Sequence, residues 1–79
     1  MRLFIGAGRR GGIRPGDLVG AITGETGVPA NVLGAIEIAE NYSLVSVPDE
    51  LADEIIAGMK KATLRGQKVT IRRDREGSR

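Results

Sequence analysis

Twice along this chain the spacing of apolar residues switches from every second residue to the longer period of a helix, and each switch falls on a proline. Arg2 to Ala7 alternates, with Leu3, Ile5 and Ala7 on one face and Arg2, Phe4 and Gly6 on the other. Pro15 then opens a helix, since its fixed φ suits the first helical position. Ile13 and Leu18 stand at the spacing of a hydrophobic staple, and Asp17 places a carboxylate in the first turn. Leu18, Val19 and Ile22 supply its apolar stripe, and Gly27 and Pro29 end it. Val32 to Ala39 reads as a second strand with Gly34, Ile36 and Ile38 on one face, and a tight connection at Glu40-Asn41 leads to a third, Tyr42 to Val47. There Ser43, Val45 and Val47 face one way, and Tyr42, Leu44 and Ser46 the other. Pro48 opens the second helix, with acids Asp49, Glu50, Asp53 and Glu54 near its start and Lys60 and Lys61 at its end, as the helix dipole favours. Its buried stripe is Leu51, Ala52, Ile55 and Met59. Gly66 marks a turn into a last strand, Lys68 to Arg73, with Val69 and Ile71 toward the core and Lys68, Thr70 and Arg72 away from it.

Strand, helix, strand, strand, helix, strand is the split βαβ order. It predicts an α+β, ferredoxin-like sandwich: a four-stranded antiparallel sheet with two helices on one face and the other face open. Right-handed crossovers place the first and third strands at the centre and the last strand beside the first. The 79 residues hold one such domain, expected over 1–74, with 75–79 as a flexible basic tail.

The chain has no cysteine and no histidine, which removes disulfides, thiol nucleophiles, zinc fingers and imidazole bases together. No catalytic residue, metal ligand set or cofactor is expected. The run from Met1 to Gly8 is too short for a signal peptide and Arg9 and Arg10 interrupt it, while no stretch approaches the roughly 20 apolar residues that span a bilayer. The expectation is a soluble, cytoplasmic chain, monomeric as an isolated domain, with no membrane partner.

Net charge is only +2, but the charges are segregated. Residues 1–16 carry four arginines and no acid; residues 17–54 carry eight acids and no base; residues 55–79 carry eight bases against Asp74 and Glu76. A fold that joins the two ends gathers a positive strip on one side, which attracts phosphates.

The two aromatic residues of the chain, Phe4 and Tyr42, both fall on the open face of neighbouring central strands. A small domain short of apolar mass is expected to bury its aromatics, so their joint exposure points to stacking on a ligand. Bases of single-stranded RNA fit, each stacked base contributing about 1–3 kcal/mol. Arg2, Arg9, Arg10, Lys68, Arg72 and Arg73 lie beside them as phosphate contacts, so the expected RNA-binding residues are Arg2, Phe4, Arg9, Arg10, Tyr42, Lys68, Arg72 and Arg73.

Leu3-Phe4-Ile5-Gly6-Ala7-Gly8 resembles the first-strand motif of RNA-recognition-motif domains, and Glu40-Asn41-Tyr42-Ser43-Leu44-Val45-Ser46-Val47 resembles the third-strand motif in part. Glu40 stands where that motif has a base, and Leu44 where it has a second stacking aromatic, which puts more weight on loops. A closer resemblance runs through Gly8-Arg9-Arg10, Gly12 to Ile22, Gly34 to Ile38, Tyr42 to Pro48 and Arg65 to Val69. These segments look like the C-terminal RNA-binding domain of bacterial DEAD-box RNA helicases of the DbpA/DeaD type. That resemblance implies an accessory domain tethering an ATP-dependent helicase core, in the same parent chain, to structured RNA with a single-stranded flank, often ribosomal RNA. It implies no chemistry within these residues, which hold neither a G-x-x-x-x-G-K-[ST] phosphate loop nor an Asp-Glu-Ala-Asp motif.

Two other signals carry little. Gly6-Ala7-Gly8-Arg9-Arg10-Gly11 spells G-x-G-x-x-G after a strand, but the helix starts only near Pro15, so a basic glycine loop at RNA phosphates is the better reading. The acids from Asp49 to Glu54 read as a solvated first turn, not a metal cluster. The rival reading of the open face is a protein-interaction or dimerisation module, with a small-molecule sensor of ferredoxin-like shape third.

Overall fold

The computed structural model describes residues 1–61, 63–64 and 66–74. Strand β1 (Arg2–Ile5) leads through a single 3₁₀ turn at Arg9–Gly11 to helix α1 (Pro15–Thr26). A second 3₁₀ turn at Ala30–Val32 precedes β2 (Ile36–Ile38) and β3 (Ser43–Ser46), and helix α2 (Asp49–Met59) follows. A small hairpin, β4 (Thr63–Leu64) and β5 (Gln67–Lys68), leads to the last strand, β6 (Ile71–Arg73). The main sheet is antiparallel in the order β2-β3-β1-β6, with β1 and β3 central, as the ferredoxin-like topology requires.

A proline stands at the start of each helix, Pro15 inside α1 and Pro48 just before α2. Pro15 is the first residue of α1, and the Asp17 carboxylate accepts the Arg14 backbone N–H at 2.9 Å, satisfying a donor that the helix start leaves open. Gly27, at φ 77°, closes α1 in the left-handed conformation. Pro48 precedes α2, whose start carries Asp49 and Glu50.

The core lies between the sheet and the two helices. Leu3 and Ile5 of β1, Val45 of β3 and Ile71 of β6 meet Leu18 and Ile22 of α1 and Ala52, Ile55 and Met59 of α2. Ile13 joins them, so both ends of the predicted staple are core. Ser43 is the buried polar residue among these strands, and its hydroxyl donates to the Ala7 carbonyl at 2.7 Å.

All four predicted strands are shorter than expected, β1 ending at Ile5 and β3 running only from Ser43 to Ser46, and the other two are interrupted. Val32 to Ala39 is not one strand: after Pro29 the chain turns through Ala30–Val32, and only Ile36–Ile38 is regular. Gly34 donates to the Ser46 carbonyl while Ser46 donates to the carbonyl of Ala35, so two residues oppose one in a bulge. The bulge takes Gly34 off the face it was expected to share with Ile36 and Ile38; a Cβ on Gly34 stands 3.0 Å from the Ser46 Cβ. Nor do Lys68 and Arg73 share a strand. Gly66, at φ 81°, turns a separate hairpin in which Lys68 pairs with Thr63, and the sheet strand begins again at Ile71. The expected tail, 75–79, lies outside the described residues.

Candidate nucleic-acid interface

The face away from the helices is built by strand alternation. One cross-strand row runs Glu37, Leu44, Phe4, Arg72 across β2, β3, β1 and β6. Tyr42 sits just before β3, diagonal to Phe4. The two rings stack with centroids 5.5 Å apart and planes 18° from parallel. The Arg72 guanidinium carbon lies 4.2 Å from the Phe4 ring centroid. Phe4 is half-buried and Tyr42 is 41% exposed. The chain's two aromatic rings and one cation thus form a single stacked group on open sheet.

Leu44, at the position of the missing second stacking aromatic, is 7% exposed but lies outside the core cluster. It stands between Glu37 and Phe4 in the cross-strand row. It contributes a floor to this face and no ring to stack on.

The basic loop is held against the same end of the sheet. Backbone N–H groups of Arg9 and Arg10 donate to the carbonyls of Ala39 and Glu40 at 2.8 and 3.0 Å, and Arg9 Nη2 donates to the Ile38 carbonyl at 2.9 Å. Gly8 explains how the loop comes so near. A Cβ there stands 2.3 Å from the Ala39 carbonyl oxygen and 2.6 Å from the Tyr42 nitrogen, so only glycine lets this backbone reach the β2–β3 connection. Of the three glycines in the G-x-G-x-x-G spacing, Gly8 is the one this packing requires, for a Cβ at Gly11 meets nothing within 4 Å, and α1 starts four residues after Gly11.

The eight residues expected from sequence separate into groups. Phe4, Tyr42 and Arg72 are brought together, with exposed Arg9 and Arg10 alongside. Arg9 also lies 3.8 Å from Glu40. Arg2 is on the same face at the opposite end, 4.0 Å from Glu37 and 3.4 Å from Asp74. Lys68 is in the hairpin, not beside Phe4 on the last strand. Arg73 pairs in register with core-facing Leu3 and binds Asp53 of α2 at 2.7 Å, so its side chain is on the helix side. Sequence reasoning missed the acids that engage Arg2 and Arg73, because nothing along the chain marks residues 20 or more apart as neighbours.

Of the acids near the start of α2, Asp53 binds Arg73, and Asp49 lies 3.7 Å from the Met1 ammonium group. Those two carboxylates are engaged by cations from the sheet side, which a merely solvated helix start does not require.

A family model described as the DbpA RNA-binding domain matches residues 2–73, nearly the whole chain and every strand of this sheet. The chain belongs to the DbpA RNA-binding domain family. The ATP-dependent RNA helicase DbpA of Bacillus subtilis (strain 168) is 31% identical to it over 71 residues. That match takes in 90% of this chain and 15% of the length of the helicase. Among the described residues, no helix is long and apolar enough to cross a membrane.

Proposed function

We propose that this chain is the RNA-tethering module of an ATP-dependent DEAD-box helicase, and that it holds structured RNA, ribosomal RNA in particular, by a single-stranded flank. The observation that carries the reading is the stacked group of Arg72, Phe4 and Tyr42 on an open sheet, beside the Arg9–Arg10 loop. Family membership over residues 2–73 supports RNA as the ligand, and the similar helicase supports the parent activity.

The mechanism divides between two kinds of contact. Bases stack on the aromatic group, which is tolerant of sequence because every base has a π-face. Phosphates are held by the guanidinium groups of Arg9 and Arg10, which set orientation and give the binding its salt dependence. The module itself moves no bonds; it raises the local concentration of RNA at the helicase core, as a linked binding module does.

Tyr42 provides the test, because the chain has one tyrosine and no tryptophan, so its intrinsic fluorescence reports the face directly. Titration with an RNA hairpin bearing a single-stranded flank is expected to quench Tyr42, and the same hairpin without the flank to quench it much less. Binding of the flanked hairpin with Tyr42 emission unchanged overturns the sheet-face reading. Emission that ignores RNA but changes as the protein is concentrated, with Tyr42 occluded by a second copy, moves the assignment to dimerisation.

A further inference from the structure

Arg72 occupies the place where a base is expected to stack. Its guanidinium covers one face of the Phe4 ring at 4.2 Å, and Tyr42 stacks against the same ring at 5.5 Å. In the free domain the ring is therefore partly covered by the chain's own cation. We propose that Arg72 is a displaceable cap on Phe4, which makes this face select a nucleotide that carries both a base and a phosphate. The inference rests on the RNA-binding reading above.

Two observations and one general comparison lead to it. First, the cap is lightly held. Among the described residues, the one hydrogen bond Arg72 makes apart from the ring contact is from Nη1 to the Arg73 carbonyl, at 3.3 Å and exposed to solvent. Second, no carboxylate among the described residues pairs with Arg72, whereas Arg2 lies near Glu37 and Asp74 and Arg73 binds Asp53. Third, a cation over a ring at an exposed site is the weaker contact, and a stacked base the stronger one, so a base wins the ring.

The displaced guanidinium is not wasted. It remains tethered one strand away from the base that replaced it, and its planar fork of N–H donors matches a phosphate. A base without a phosphate must remove the cation and receives nothing in return. A phosphate without a base gains the charge contact but leaves the ring capped. Only a nucleotide with both recovers both contacts, so the cap discriminates by chemistry and not by base identity.

The experiment follows the Arg72 side-chain Nε–H resonance, assigned through bonds in the intact chain, while the RNA hexanucleotide ACACAC is added at low salt. Above a ring face this proton is shifted upfield. On binding it is expected to move downfield, together with the Phe4 and Tyr42 signals. A parallel arm uses Arg72→Ser. This variant is expected to bind ACACAC more weakly at low salt, with a log–log salt slope smaller by about 0.7. It is expected to bind the nucleoside adenosine more tightly, by about 2–5-fold, because no cation competes for the ring. If the Arg72 proton stays upfield while Phe4 and Tyr42 respond, the base stacks without displacement and the cap is refuted, with the RNA reading intact. Adenosine binding unchanged or weakened in the variant refutes it too. If ACACAC binds and neither Phe4 nor Tyr42 responds, the sheet-face reading and the cap fall together.

Discussion

Arg2 and Arg72 project from the same face of the same sheet, yet the fold places them in opposite circumstances. Arg2 lies between Glu37 and Asp74, whose side chain is only 9% exposed, and these acids offset its charge. Arg72 has an aromatic ring beneath it and no acidic partner among the described residues. Arg2 thus has two acids beside it; toward the other end of the sheet Arg9 has Glu40 at 3.8 Å, while among the described residues Arg72 and Arg10 have no carboxylate within salt-bridge distance. A count of arginines on the face does not reveal this. What matters is which of them already has a partner when the ligand arrives, since surface pairs of this kind are individually weak but still compete with a phosphate.

The largest effect is expected from removing a ring beside Arg72. Phe4→Ala weakens RNA binding by about 1–3 kcal/mol and leaves the fold intact, whereas Ser46→Ala at the Arg2 end changes affinity little. Isothermal titration beside thermal melts checks both, and unfolding of Phe4→Ala would make Phe4 a core residue and end the comparison. Gly8→Ala strikes the joint between loop and sheet. With a Cβ 2.3 Å from the Ala39 carbonyl oxygen the backbone must shift, at a stability loss of about 1–3 kcal/mol measurable by urea unfolding. Wild-type stability in this variant would mean that the close approach is not required.

Gly20→Ala sharpens the contrast from the helix side. Nothing lies within 4 Å of a Cβ at this mid-helix position, so the substitution raises stability by about 1 kcal/mol and leaves RNA binding unchanged. A loss of RNA affinity would place the ligand on α1 and not on the sheet. The smallest effect separates the two ends most finely. Arg10→Ser lowers the log–log salt slope of single-strand binding by about 0.7, and Arg2→Gln leaves it where it was. Equal changes in the two variants would erase the distinction between the two ends.

Much of this arrangement is legible in the chain, for physical reasons that can be named. Prolines 15 and 48 mark both helix starts because a proline has no N–H to leave unbonded there. The period of two places Phe4 and Tyr42 together on one face, and the topology makes their strands neighbours. The same period places Arg73 opposite Arg72, so its helix-side position was readable, though nearness along the chain suggested a shared role. Other features were hidden. The bulge at Gly34 and Ala35 breaks a strand whose alternation looks regular. Two-residue strands such as Thr63–Leu64 and Gln67–Lys68 are too short to carry a period, which is why Lys68 was placed on the wrong element. The acids that engage Arg2 and Arg73 come from distant positions and have no local signature.

The most direct measurement is an amide chemical-shift titration of the chain with a flanked RNA hairpin at low salt. Changes are expected to centre on Phe4, Gly8 to Gly11, Tyr42 and Arg72, with Arg2 and Arg73 responding far less. Changes spread evenly over both ends of the sheet, or confined to the helix side around Asp53 and Arg73, would contradict the sheet-face reading.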